Sequence, residues 1–250
     1  MTGAMKGIIQ KIPFVESLRR TRADQLRKDT HINRAIASIR GEIYVEIGVH
    51  KGECFRRINA AQKFGIDPSP VNIGNEQLGK GEQLFVMTSD EFFSKHAENA
   101  IPSRRINVAL VDGLHEFRQV VRDVLNLEKY MSTNGVIFVH DCNPPTREHA
   151  ADVRAGGGAW NGDAWKIAYY IVKHRPDLSF FTLNCDWGLG VITGFHRTGL
   201  RCGELDAQII EDCKNLDYDY LSQNRKGLLK LRTCYYSTVY FYVISKLRGM

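Results

Sequence analysis

Residues 42 to 52 read Glu42-Ile-Tyr-Val-Glu-Ile-Gly-Val-His-Lys-Gly52, an apolar run that passes straight into Glu46-x-Gly48-x-x-x-Gly52. A strand feeding a glycine turn and then a helix is a nucleotide-type binding turn. Gly48 would let the backbone turn tightly beside a ligand, and Gly52 would let the following helix pack close and aim its free N–H groups at that ligand. The dinucleotide fingerprint Gly-x-Gly-x-x-Gly is excluded, because His50 stands where glycine is required. Taken alone, the stretch also fits an ordinary strand-to-helix turn.

Downstream, Lys63-Phe-Gly-Ile-Asp67-Pro68 is a second short apolar run that ends in a carboxylate and is stopped by proline. Asp67 is placed to accept both hydrogen bonds of a ribose diol at the carboxyl end of a strand, where open α/β sheets bind ligands. A turn cap beside Pro68 is the alternative role.

The chain has 250 residues, 43% of them hydrophobic and 25% charged, enough to bury one large α/β core with residues left over at both ends. The first twenty residues break their apolar groups with Lys6, Lys11, Arg19 and Arg20, so no secretory leader is expected. No apolar run reaches membrane-spanning length. The six cysteines are scattered, without a Cys-x-x-Cys pair or histidines at zinc spacing. A cytoplasmic protein is the expectation. The net charge of +6 gathers at the ends, in Arg19 to Arg34 and in Lys226 to Arg248, with no RNA-binding motif between them. Nucleic acid is therefore not an expected partner. The apolar, aromatic and basic mixtures Met5 to Val15 and Tyr235 to Lys246 suit contact with an anionic membrane surface, and equally core packing or a homo-oligomer interface.

Residues 15 to 39 carry Leu18, Leu26, Ile32, Ile36 and Ile39 among charges and predict a helical cap. Five apolar strands follow, at roughly 42 to 49, 63 to 67, 83 to 88, 106 to 112 and 135 to 141, alternating with helical or polar stretches. That alternation predicts a parallel sheet covered on both faces. Asp177 to Asn184 and Leu189 to Phe195 flank Cys185-Asp-Trp-Gly188 and read as an antiparallel pair. The expected fold is α/β and Rossmann-like, five parallel strands plus a late hairpin. Its divisions are a helical cap over 1–40, a core domain over 41–196 and a mainly helical extension over 197–250.

Two strand ends concentrate the chemistry. Ile106-Asn-Val-Ala-Leu-Val-Asp112-Gly-Leu-His115 puts Asp112 at the crevice and His115 at the opening of the next helix. There the helix dipole would disfavour the protonated ring and keep His115 a neutral base. Helix capping is its alternative role. Gly135-Val-Ile-Phe-Val-His140-Asp141 delivers a second carboxylate beside the first. Two carboxylates in one crevice repel unless one is protonated or a cation lies between them. Oxygen ligands suit Mg²⁺, with His140 or Asn143 as a third ligand. The metal-free alternative is that Asp112 and Asp141 cap strands and bind backbone amides.

Together, Glu46-x-Gly48-x-x-x-Gly52, Asp67, Asp112-Gly-x-His115 and Gly135-Val-Ile-Phe-Val-His140-Asp141 resemble class I S-adenosylmethionine-dependent methyltransferases. The nearest likeness is to the branch of metal-dependent sugar O-methyltransferases of macrolide and cephalosporin pathways, over roughly residues 40 to 195. The resemblance implies a methyltransferase with S-adenosylmethionine and Mg²⁺ as cofactors. It implies Glu46, Gly48 and Gly52 at the methionine end, Asp67 at the ribose and Ser89, in Thr88-Ser89-Asp90, on the adenine side. It further implies Asp112, His140 and Asp141 about the metal, with His115 as base. His140 departs from the family pattern, since an acidic ligand often stands there.

The acceptor implied is a hydroxyl of a saccharide or glycosylated metabolite. Residues 143 to 165, rich in glycine and bracketed by aromatics, read as a lid in which Trp160 could stack on a sugar ring, while Trp165 suits the core. A phenolic or other small hydroxylated acceptor is the alternative. A non-catalytic module whose basic ends bind a membrane or polyanion is a second.

Overall fold

The computed structural model describes residues 27–101, 105–154, 156–195 and 207–247. The first part of the expected helix 15–39, the segment Met5 to Val15, and Arg248 lie outside the described residues.

A seven-stranded sheet is built from β1 (Ile43–Ile47), β2 (Gln62–Ile66), β3 (Glu82–Phe85), β4 (Ile106–Val111), β5 (Met131–Val139), β6 (Ser179–Leu183) and β7 (Leu189–Thr193). Its order is β3-β2-β1-β4-β5-β7-β6. The first five strands are parallel, and β7 runs antiparallel to both β5 and β6. This is the expected arrangement of five parallel strands and a late hairpin. Every residue of β1 is buried, which is why its sequence is apolar save for Glu46 and not alternating. β5 begins earlier than expected, at Met131, because a register irregularity against β4 accommodates the polar Ser132 to Asn134 before Gly135.

Helices cover both faces. On one side lie α2 (Ser89–Lys95), α3 (Ala97–Ala100), α4 (Phe117–Glu128) and α5 (Lys166–His174), joined by α6 (Ala207–Lys214) and α7 (Tyr218–Leu228). On the other lie α1 (Lys28–Ile39) and α8 (Cys234–Leu247), packed over Tyr44, Val108, Leu110 and Phe138. The terminal helices thus complete the two core layers. Leu229 to Arg232 also runs beside β6, its backbone bonded to Thr182 and Asn184, and covers that open edge. Buried Arg175 holds Glu128 at the end of α4 through two bonds, 2.8 and 2.6 Å long.

One element differs from expectation. The glycine turn leads into a short 3-10 turn, Phe55–Arg57, and not an α-helix. Ile58 already returns to extended backbone, since residues 53–61 must both cross the sheet face and reach β2.

In α8, Phe241 and Ser237 are buried, so core packing uses one face of the aromatic segment, while Tyr235, Val239 and Val243 stay exposed. Among the described residues, no helix is long and apolar enough to cross a membrane. The thiols of Cys185 and Cys234 also meet, and the hydrogen bond from Cys185 draws the Cys234 thiol down to about 7.

Candidate active site

The carboxyl ends of β1, β2 and β4 open into a cavity of about 1000 Å³, whose lining includes Glu46, Gly48, Asp67, Ser89, Asp112 and His115. That volume stands at the upper end of small-molecule sites, roughly 300–1,000 Å³, and leaves room for two ligands.

Gly48 closes the turn with φ +89°. A Cβ there would lie 2.5 Å from the carbonyl carbon of Asp112 and 2.8 Å from Gly113 Cα, so the ends of β1 and β4 approach as only glycine permits. Glu46 points with Tyr44 to the α1 face, is 1% exposed, and accepts a 2.6 Å bond from the Tyr44 hydroxyl. Burial, with the nearby Asp112 charge adding to it, pushes its carboxyl up to about 8. The N–H groups expected to face a ligand are partly used: His50 N–H donates to Asp67 Oδ2 at 2.7 Å, and Ser69 N–H to Oδ1 at 2.7 Å. Asp67 therefore caps its own turn while facing the cavity, and each oxygen keeps a lone pair for a diol. Gly52 lies outside the lining, packed near Ile73.

Thr88 is the N-cap of α2, taking the Glu91 N–H at 3.2 Å. Buried Ser89 donates to Asp123 Oδ1 at 2.6 Å, and Gln119 donates to both, at 3.2 and 2.9 Å. Burial pushes Asp123 up to about 6. Gln119 and Asp123 line the cavity too. Sequence reading missed them, although an aspartate beside the apolar face of Val120, Val124 and Leu127 was a signal.

At the floor, four predicted residues converge. His115 Nε2 lies 3.4 Å from Asp112 Oδ1 and 3.1 Å from Asp141 Oδ2, and His140 Nδ1 lies 3.0 Å from each of those oxygens. His140 and Asp141 sit just behind the lining. Asp141 accepts from the Asn161 amide, and Asn143 turns away to Asn184 and Arg225. The repulsion expected between the carboxylates is met by neighbouring cations, including one the sequence did not reveal: Lys28 Nζ of α1 stands 2.6 Å from Asp112 Oδ2. Asp186, from the β6–β7 turn, accepts the Lys28 N–H at 3.1 Å and lies 3.6 Å from His140 Nε2.

Burial alone would raise the Asp112 carboxyl, but the charges of His140 and Lys28 hold it well below the usual range. Burial alone would lower both imidazoles, yet Asp112 and Asp141 raise His140 well above, and His115 above, the ordinary histidine value. The carboxylates, and not the expected helix dipole, therefore dominate the surroundings of His115. His115 precedes the helix, which starts at Phe117, and stands at φ +60°. Asp163, across the lid, caps that helix in its place through the Phe117 N–H. Trp160 stacks on His115, with centroids 5.7 Å apart and planes at 25°, and its carbonyl takes the His115 Nδ1 proton at 3.1 Å. Left-handed backbone at His50, His115, Asp141 and Asp186 gathers at this one site, as strain often does in functional regions.

One ligand atom each from Asp112, His115 and Asp141 lies within 4.8 Å of the others. His140 bridges the carboxylates as a donor. Its Nε2, and Asn161 Oδ1, are buried without hydrogen-bond partners.

Residues 45–142 match the model of a methyltransferase domain. A comparison with curated proteins returned no match. Among solved structures, the chain is similar to a candidate O-methyltransferase from Klebsiella pneumoniae, with 10% identity, 72% of this chain and 94% of that chain covered, and a TM-score of 0.50. A cofactor-bound protein from MTB aligns at 12% identity over 73% of this chain and 89% of that one, with a TM-score of 0.47. A protein from Corynebacterium glutamicum aligns at 11% identity over 76% and 97%, with a TM-score of 0.46. The Klebsiella structure supports the fold, and the matched segment runs from within β1 to just past β5, where most of the cavity residues lie. Residues 45–142 thus read as a methyltransferase domain.

Proposed function

We propose that this domain transfers the methyl group of S-adenosylmethionine to a hydroxyl of a saccharide or glycosylated metabolite, with Mg²⁺ held at Asp112 and Asp141. The observation that carries the reading is the double use of Asp112. Its backbone closes on Gly48 in the glycine turn, and its carboxylate joins His115, His140 and Asp141 at the cavity floor. A cofactor in the turn and an acceptor on the carboxylates would therefore meet at one residue.

S-adenosylmethionine supplies an activated methyl group, so the protein has to place an acceptor oxygen in line and take its proton. Glu46 would face the methionine ammonium, Asp67 the ribose, and Ser89 with Asp123 the adenine side. Nδ1 of His115 is committed to Trp160, so Nε2 is the atom that takes the proton, and the adjacent carboxylates stabilise the imidazolium formed. Trp160 fixes the plane of that ring. The hard carboxylate oxygens of Asp112 and Asp141 fit Mg²⁺, and His115 Nε2 beside them stays free to act on the acceptor. Bound there, Mg²⁺ would lower the pKa of a chelated hydroxyl. The polar rim, with Asp29, Asp186 and Arg154, supports a sugar over an apolar phenol.

The test incubates the full chain with S-adenosylmethionine and a panel of glycosides and catechols, with Mg²⁺ or with chelator, and measures S-adenosylhomocysteine released. Turnover on a glycoside that chelator suppresses is expected. Turnover confined to catechols would overturn the acceptor class, and turnover indifferent to chelator would overturn the metal. Absence of any turnover, together with salt-sensitive binding to anionic vesicles, would favour a non-catalytic module.

A further inference from the structure

Behind the cavity, three side chains remote in sequence meet: His31 of α1, Cys185 in the β6–β7 turn and Cys234 at the start of α8. One ring nitrogen and the two sulfurs lie within 4.8 Å of one another. His31 is fully buried, and its Nδ1 is 2.7 Å from the Ser237 hydroxyl, which in turn donates to the Cys234 carbonyl at 3.0 Å. Arg34 donates to the same hydroxyl at 3.2 Å. The ring and the start of α8 are thus held by outer hydrogen bonds of the kind that orient metal ligands.

We propose that His31, Cys185 and Cys234 form a binding site for a thiophilic divalent cation, zinc in the cell. Two sulfurs and an imidazole are a soft donor set that zinc favours over Mg²⁺, and they are chemically distinct from the oxygen donors at the cavity floor. Bonds of about 2.0–2.3 Å set donor separations of roughly 3.3–3.8 Å, so closure asks only small side-chain movements. The half-buried Cys234 provides access for the ion. The three ligands come from three elements, so the ion would pin α1 and α8 to the hairpin. His31 lies one turn beyond Lys28, and Cys185 precedes Asp186. The ion would thereby hold the two residues that bring the ammonium to Asp112 and fix its backbone. This inference does not depend on the acceptor or on Mg²⁺.

The probe is Cd²⁺, titrated into the full chain after isolation in reductant and removal of metals. A near-ultraviolet thiolate-to-cadmium band saturating at about one equivalent is expected. Cys185→Ser and Cys234→Ser should each abolish the tight phase, and His31→Ala should weaken it about tenfold or more. Cys213→Ser and Asp112→Asn should leave it intact. Because a serine in the turn can unfold the hairpin, each variant is first checked for a cooperative thermal unfolding transition; the wild-type titration needs no variant. Lack of a band in the wild type, or a band that survives Cys185→Ser/Cys234→Ser, overturns the site. An unchanged affinity in His31→Ala removes the histidine and overturns the three-ligand set. A Cys185–Cys234 disulfide in freshly isolated protein, found by peptide mapping without reductant, overturns it in favour of a redox pair.

Discussion

Gly48→Ala tests whether the approach of β1 and β4 builds the site. Alanine at φ +89° adopts a left-handed backbone, a strain of about 1–2 kcal/mol. Its methyl group would also overlap the Asp112 carbonyl, and that neighbour is main chain, so no side-chain rotation relieves the contact. Relief requires the strand ends to part, which weakens the 2.9 Å bond from Asp112 N–H to Ile47 O, for about 1 kcal/mol more. The total is about 2–3 kcal/mol. At roughly 2–4 °C per kcal/mol for a chain of this size, the melting temperature should fall by roughly 4–12 °C. Asp112 moves with the strand end, so S-adenosylhomocysteine affinity should fall at least about tenfold, a loss of ~1.4 kcal/mol. Calorimetric titration and thermal unfolding measure both quantities on the same preparation. A variant that melts within about 2 °C of the parent and binds within about twofold would refute the reasoning, because the close approach would then be dispensable.

Glu46 has its folded pKa raised to about 8, so its stabilising contribution is complete below the unfolded value of 4.5 and is lost as pH rises to 8. Glu46→Gln should therefore gain on the parent across that window, by on the order of 4 kcal/mol at its upper end; melting curves at a series of pH values that run parallel for both proteins would contradict this. Arg175→Met should cost about 3–5 kcal/mol in denaturant unfolding because it strands the buried Glu128 carboxylate, whereas Arg175→Met/Glu128→Leu should recover most of that loss. If the double variant is as weak as the single one, the pair is not the cause. Lys28→Met removes the ammonium from Asp112 and should tighten Mg²⁺ binding, read by calorimetry; equal affinity in both proteins would mean that lysine and metal do not compete for that oxygen.

The sheet was legible because its signals are local. Continuous apolar runs at β1, β4 and β5, each ending near an acidic residue, carry both the parallel order and the position of the crevice. Asp112, His115, His140 and Asp141 could be named for the same reason. What they do to one another could not. The conformation of His115 depends on Asp163 and Trp160, which lie beyond a whole strand and helix, and no pattern near residue 115 announces a left-handed backbone. The 3-10 turn at Phe55–Arg57 was missed because residues 53–61 have helical composition, and the sheet geometry overrides it. Lys28 and Asp186 were invisible as site residues, since their roles exist only once α1 and the hairpin turn have packed together.

Those two residues change the electrostatic problem posed by the strand ends. Read along the chain, Asp112 and Asp141 need a proton or a metal between them. In the fold, Lys28, His115 and His140 surround them, and Asp186 sits beyond His140, so positive charge is already supplied from α1 and from the end of β5. A cation arriving at Asp112 has to displace or share with the Lys28 ammonium, which arrives on a helix and not on a mobile loop. Under the proposed Mg²⁺ reading, positioning of α1 would therefore set how readily the carboxylates accept the metal. That would place the control of metal affinity outside residues 45–142, in a helix whose His31 meets Cys185 and Cys234.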